Sequence, residues 1–570
     1  MVAVLTLELR ALGWRQGILG IALGLLLIPG SGAGYAAGYG ARGGPGALAY
    51  EGSIAAVQAA LASGILSCEA LVTHYLERVQ AYDQPLGVRA VTAVNESVLA
   101  EARALDQKRE AGEALGPLHC VLLAVKDNMD TAGLPTTGGS AALLSVPPPT
   151  KDATLVARLR AAGALVLFKT NMAEWAFSAK ESLSSSYGRT ANAYDRRHTP
   201  AGSSGGTASA VAASFALAGL GTDTGNSIRG PSAHLALVGL RPTFGLVSRA
   251  GIVPLLLDRD MAGPMVRSVA DAAAIMNIIA GSDPADPTTA EADARRAEDY
   301  AAGMGLAGLQ GARLGVLRAF VPPETDPEVR ALFEAALDDL RAAGAEIVDP
   351  LVIPDFQRHL AGGRFCNRFR ADVAAYLDAR GGVPWRDVAT RLEAFEVHPA
   401  NVGRFKFFTE GPLAPPSAWD PPCPGFADHP ERQAFLAAVT AALDGAKVDA
   451  LLYPSWTAVP ASLSGADAEY TGDNSQRWRR ERACRRSPCP WASPGQGACP
   501  RGSSGSAGAG TITACSSWPM PTSRPRGTAD RRRRCHRWRP RPARRAGRGC
   551  RWPPWPAAQP APAGASSGLR

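Results

Sequence analysis

The pattern of apolar and polar positions alternates between short unbroken runs and longer periodic stretches. Val121-Leu122-Leu123-Ala124-Val125 is continuously apolar and stops at Lys126-Asp127-Asn128, the pattern of a strand buried on both faces. Ala164-Leu165-Val166-Leu167-Phe168 repeats it, and Thr154 to Ala162 between them has helical spacing. Strand, helix, strand at this distance predicts a parallel crossover and an α/β fold. Upstream, Ser67 can cap a helix whose apolar face is Leu71, Val72, Tyr75, Leu76 and Val79, ended by Asp83-Gln84-Pro85. Leu99, Ala102 and Leu105 mark a second helix. Downstream, Ser268 opens a helix through Ile275, Ile278 and Ile279, and Asp326-Pro327 opens another through Leu332, Phe333 and Leu340. Leu314 to Leu317 and Val448 to Pro454 read as strands, and 356–440 as helices broken by proline.

Between the crossover and Ser268 lie two serine-bearing glycine-rich turns. The first is Ala201-Gly202-Ser203-Ser204-Gly205-Gly206-Thr207, and the second runs from Gly221 to Pro231 through Thr224-Gly225-Asn226-Ser227. The Ala/Ser-rich run Ala208 to Ala218 between them is expected to be a thin buried helix. Paired Ser-Gly turns can aim backbone N–H groups at one point beside a hydroxyl, the layout of a nucleophile next to an oxyanion hole. The N–H groups of Thr224, Gly225, Asn226 and Ser227 are the candidate donors. A serine needs a base, and no histidine stands near enough in the motif to supply one. Lys126, at the end of an apolar strand, is the candidate, because desolvation would leave it a neutral amine. Ser203 can relay a proton between Ser227 and Lys126. Residues 202–206 also fit a G-x-S-x-G elbow formally, but Asp195 to Pro200 ahead of them is polar and ends in proline, where that elbow needs a strand.

The same segments carry a family resemblance. Gly116 to Asn128, Thr136-Thr-Gly-Gly-Ser140, Gly202 to Thr207, Gly221 to Ser232, Val238 to Gly245 and Gly263-Pro-Met265 together resemble the amidase signature family, across about residues 50 to 475 and most densely from 116 to 280. The resemblance implies a mixed, mostly parallel sheet covered by helices on both faces. It implies an enzyme hydrolysing linear amides, not peptide bonds, through a serine acyl-enzyme: Lys126 as base, Ser203 as bridging serine on a cis peptide, Ser227 as nucleophile. The 24 residues from Ser203 to Ser227 match the family interval. Neither metal nor organic cofactor is expected, and the partner is a small-molecule amide. Two positions depart from the family. Asn226 replaces a glycine before the nucleophile, where it would tolerate a left-handed backbone or crowd the oxyanion, and Cys120 replaces a glycine before the lysine strand. The alternatives are a catalytically impaired amidase fold and a transamidation component of the kind found in amidotransferases.

Charge and cysteine usage divide the chain. Of its 570 residues 46% are hydrophobic, enough for a large core, and the net charge is +9. From Arg477 onward there are 21 arginines against two acids, while the preceding residues hold 39 bases against 49 acids, a net −10. The basic character therefore belongs to the tail, and no nucleic-acid partner is expected of the body. Cys68, Cys120, Cys366 and Cys423 are widely spaced, predicting neither a disulfide framework nor a metal site. At the other end, Arg10 and Arg15 precede an apolar run from Ile18 to Ile28, Pro29 and a Gly/Ala/Ser stretch to Gly46, which reads as an export signal over 1–46, or a membrane anchor if uncleaved. Asn95-Glu96-Ser97 is a glycosylation sequon in a eukaryotic secretory route. The body is expected over 50–476.

The tail, 477–570, is rich in Arg, Pro, Gly and Trp, and disordered basic tails are poor in aromatics. A shifted reading frame of a GC-rich gene has this composition. Taking each codon's third base with the next two, Trp491-Ala492 must give Gly, and Trp518-Pro519 and Met520-Pro521 must give Ala. Arg477 to Pro494 then re-reads as an apolar segment resembling a late strand of the family, and Thr511 to Asp530 as one resembling its closing helix. The expectation is a one-base shift near codon 476, with the tail as written disordered.

Overall fold

The computed structural model describes residues 2–6, 50–361, 366–394, 396–425, 429–477 and 511–515. The apolar run Ile18 to Ile28 and most of the tail lie outside the described residues. Helices α1 (Ile54–Ala62) and α2 (Cys68–Tyr82) come first. Ser67 caps α2 as expected, its side chain accepting from Ala70 N, and Asp83 closes it. Strand β1 (Val91–Val94) leads into α3 (Val98–Glu110), then β2 (Leu122–Lys126), α4 (Thr154–Ala161) and β3 (Leu165–Thr170). The crossover is realised: β2 and β3 are parallel neighbours, and every residue of both is buried.

The first serine turn opens α5 (Gly205–Ala212), and the chain returns as β4 (Ala218–Asp223) on the other side of β2, also parallel. The expected thin helix therefore ends early, and the second serine turn is the end of a strand. Propensity hides β4, because Gly219 and Gly221 are poor strand formers. Packing requires them: a Cβ on Gly219 would stand 2.5 Å from Thr207 Cγ2, and one on Gly221 2.5 Å from Met265 Sδ. Helix α6 (Arg229–His234), β5 (Val238–Gly239) and β6 (Met261–Val266) follow. The sheet order is β1-β3-β2-β4-β6-β5, parallel at its centre and antiparallel towards its edges.

Helix α7 (Val269–Ile279), capped by Ser268, packs its Ile275, Met276 and Ile279 into the main core with Tyr75, Leu123, Phe168 and Ala218. A second parallel unit follows, built from β7 (Arg313–Val316), α8 (Pro327–Ala342), β8 (Glu346–Val348) and β9 (Ala450–Pro454). Helices Phe369–Arg380 and Val402–Thr409 bring Phe369, Val373 and Phe405 against Leu143, Val146, Trp175 and Val253, so the segments around 140–150 and 355–425 meet in one apolar cluster.

Three expectations change. Cys68 is bonded to Cys120 and Cys366 to Cys423, so the body does carry disulfides. Wide spacing concealed them because the partners are 52 and 57 residues apart and only the fold brings their Cα atoms within 5.8 and 6.0 Å. The sequon asparagine is buried, and Asn95 Nδ2 donates to Val166 O at 2.9 Å, which removes it as a glycan acceptor. Within the tail, Thr511–Cys515 form a strand antiparallel to β9 and to Val2–Thr6, consistent with the β-branched run Thr511-Ile512-Thr513.

Candidate active site

Lys126 is the last residue of β2 and is fully buried. Its Nζ lies 2.7 Å from Ser203 Oγ, 2.8 Å from Thr222 Oγ1 and 3.5 Å from Thr222 O. Burial pulls the ammonium down from its ordinary 10.5 to about 7, with Asp223 and Asp260 pulling the other way. A neutral amine has two N–H groups and one lone pair. The two Thr222 oxygens can take the N–H groups, leaving the lone pair for the Ser203 hydroxyl. Asn128 Nδ2, 3.0 Å from Thr222 Oγ1, fixes that threonine in turn. Lys169, one strand over and equally buried, is bound to Met129 O, Pro135 O and Thr136 Oγ1, so its surroundings are those of a structural lysine.

Ser203 precedes α5 on a cis peptide bond from Gly202, as the resemblance implies. Its carbonyl accepts from Ala173 N at 3.0 Å and Ser182 Oγ at 3.3 Å, which pins the turn to its neighbours. A side chain at Gly202 would stand 2.4 Å from Glu181 O, so glycine is required by close approach.

The second turn is held by charge. Asp223, the last residue of β4, accepts from Arg229 Nε at 3.0 Å, Arg241 Nη1 at 2.7 Å and Ile228 N at 3.2 Å. All three ionised side chains are buried. Arg229 also donates to Gly225 O, while Thr224 Oγ1 donates to Asp260. Asp260 accepts from Leu255 N and Leu256 N as well, and burial raises its carboxyl to about 6. With the carbonyl of Gly225 so engaged, no acceptor among the described residues takes the N–H of Gly225, Asn226 or Ser227. Such donors are what a developing oxyanion requires.

The structure thus brings Lys126 and Ser203 into contact and sets Ser227, nearly buried, on the turn that follows β4. The Ser227 hydroxyl makes no hydrogen bond to Ser203 among the described residues. Asn226 does not adopt the left-handed backbone anticipated for it: neither it nor Gly225 has positive φ. Its side chain points to Asp473, Nδ2 to Oδ2 at 2.7 Å. Cys120 does adopt positive φ, +56°, where the family has glycine, and its sulfur is committed to Cys68. Sequence reasoning assigned no role to Thr222, Asp223, Arg229, Arg241 or Asp260. The pairing of a charged residue at a buried strand end with arginines 6 and 18 positions on was the available signal.

The amidase family model matches residues 70–394. The glutamyl-tRNA(Gln) amidotransferase A chain of a Synechococcus strain is 42% identical over 295 residues, 52% of this chain and 56% of that protein. Its counterpart in Chloroflexus aurantiacus is 40% identical over 352 residues, 60% of this chain and 71% of that protein. The chain thus spans little more than half the length of the Synechococcus relative. Among solved structures, the native peptide amidase from Stenotrophomonas maltophilia superposes with a TM-score of 0.63 at 35% identity, covering 75% of this chain and 88% of that one. An amidase family protein from Bacillus anthracis gives 0.64 at 30% identity, covering 75% and 84%. The chain belongs to the amidase family of enzymes, which act on C–N bonds.

Proposed function

We propose that this protein is an exported amidase that hydrolyses a small carboxylic amide through an acyl-enzyme on Ser227. The observation that carries the reading is the buried contact of Lys126 Nζ with Ser203 Oγ, with the amine drawn down to about 7 by burial. Neutral Lys126 takes the Ser203 proton as Ser203 takes that of Ser227, and Ser227 Oγ attacks the amide carbon. The N–H groups of the turn from Thr224 to Ser227 receive the oxyanion. The proton returns through Ser203 to the departing nitrogen, and water repeats the sequence to release the acid. No metal or organic cofactor takes part in these steps. Export is supported by the Arg10/Arg15 and Ile18–Ile28 pattern and by the two disulfides, which persist in oxidising compartments.

A second reading, a transamidation component, is favoured by the names of the curated relatives, which are amidotransferase components. Ammonia release from propionamide, benzamide, an N-acetylated amino-acid amide and glutamine separates the two readings. The hydrolase reading expects turnover of at least one non-glutamine amide by the isolated chain, abolished in Ser227→Ala and Lys126→Ala. Turnover confined to glutamine favours the second reading, and undiminished turnover in both variants overturns the mechanism.

A further inference from the structure

The carboxamide of Asn226 sits where a family glycine would leave empty space, and its surroundings are built for it. Asn226 is fully buried, and Nδ2 donates to Asp473 Oδ2 at 2.7 Å. The same oxygen accepts from Tyr470 Oη at 2.5 Å, and Asp473 Oδ1 accepts from Gln476 N at 3.0 Å. Asp473 is itself buried and bridged to Trp456. Gly230, the second residue of α6, makes the room: a Cβ there would stand 2.7 Å from Asn226 Nδ2 and 3.0 Å from the Trp456 ring. On the neighbouring residue, the Gln476 carboxamide lies flat over Gly225, its Nε2, Cδ and Oε1 all 2.5–2.7 Å from where a Cβ would be. Gln476 Nε2 also approaches Asn226 Oδ1 at 3.4 Å.

A hydrogen bond to a carboxylate is stronger and more directional than one between neutral groups. Asn226 has negative φ, so a glycine there would gain no conformation the turn uses and would only add freedom. We propose that Asp473 is a positioning residue for the nucleophile turn, acting through the Asn226 side chain to hold the Gly225, Asn226 and Ser227 N–H groups on the oxyanion. Segment 456–476 thereby becomes part of the active-site architecture, and Asn226 strengthens the turn it was expected to weaken. The inference rests on Ser227 being the nucleophile.

A fluorophosphonate probe tests it without knowledge of the substrate. Ser227 Oγ forms a bond to phosphorus, the P–F bond breaks, and fluoride and the serine proton depart. The rate constant of labelling, located by peptide mass mapping, is measured beside the melting temperature for wild type, Asn226→Gly, Asn226→Ala, Asp473→Ala and Asp473→Asn. Loss of a preorganised oxyanion donor costs about 10²–10³-fold. Loosened donors are expected to slow labelling about 10–100-fold in Asn226→Gly and Asp473→Ala, with Asp473→Asn recovering part because its amide oxygen still accepts from Asn226. Should Asp473→Ala not fold, the two Asn226 variants carry the test. Labelling of folded Asn226→Gly at or above the wild-type rate overturns the proposal, as does a fall in melting temperature without slower labelling. Wild-type labelling at a residue other than Ser227 refutes the nucleophile assignment instead, so the two failures are distinguishable.

Discussion

Replacing Lys126 with methionine should abolish turnover and make the protein more stable at neutral pH. The buried amine titrates at about 7 against an ordinary 10.5. Between those values the unfolded chain holds a proton that the folded chain does not, so wild-type stability rises with pH across that window. At about 1.36 kcal/mol per unit, the full window is worth about 5 kcal/mol, an upper bound on what burying this lysine costs at pH 7 and below. Methionine removes that cost but deprives Ser203 Oγ and Thr222 Oγ1 of a partner, at about 1–3 kcal/mol in all. The net expectation is a gain of about 2–4 kcal/mol near pH 6 that shrinks as pH rises and reverses towards 10.5. Urea denaturation of both proteins at intervals from pH 6 to 10 measures it. Turnover of wild type should rise through about pH 7 and then level off, since the neutral amine is the active form. A stability difference between the two proteins that does not change from pH 7 to 10 would refute the claim that Lys126 is held neutral by burial.

Other consequences follow from packing and charge. His234 is half-buried beside Trp456, 4.2 Å between ring centres, with both ring nitrogens shut off from water, and this desolvation lowers it from 6.5 to about 4. Wild type should therefore lose up to about 3 kcal/mol as pH falls from 6.5 to 4, and His234→Phe should lose correspondingly less in an acid denaturation series. Gly206→Ala would set a Cβ 2.2 Å from Asn171 O and 2.7 Å from Asn171 N, against backbone that cannot yield. It should cost about 3 kcal/mol or more and lower activity, read by thermal melting and ammonia release. The paired replacement Cys68→Ala/Cys120→Ala opens a link across 52 residues and should cost about 4 kcal/mol in urea denaturation, with dithiothreitol producing a larger loss in wild type because it also opens Cys366–Cys423.

The strand β2 with Lys126 at its end, the crossover to β3, the capped helices α2, α7 and α8, and the two serine turns were determined by the sequence alone. Each is a local pattern: a continuous apolar run, a cap before a 3.6-residue period, or a glycine-rich turn at a fixed interval. The β4 strand was not visible, because its glycines answer to Thr207 and Met265, which are distant in sequence, and not to strand propensity. The disulfides were hidden for the same reason, since only the fold brings Cys68 to Cys120. In the site, residue types pointed to a base, a relay and a nucleophile, but the chemistry of Lys126 depends on its complete removal from water among Thr222, Asp223 and Asp260. Asn226 shows the division most clearly. Read along the chain it is a poor substitute for glycine, yet in space it meets a buried carboxylate 247 residues away, and that long-range contact sets its role.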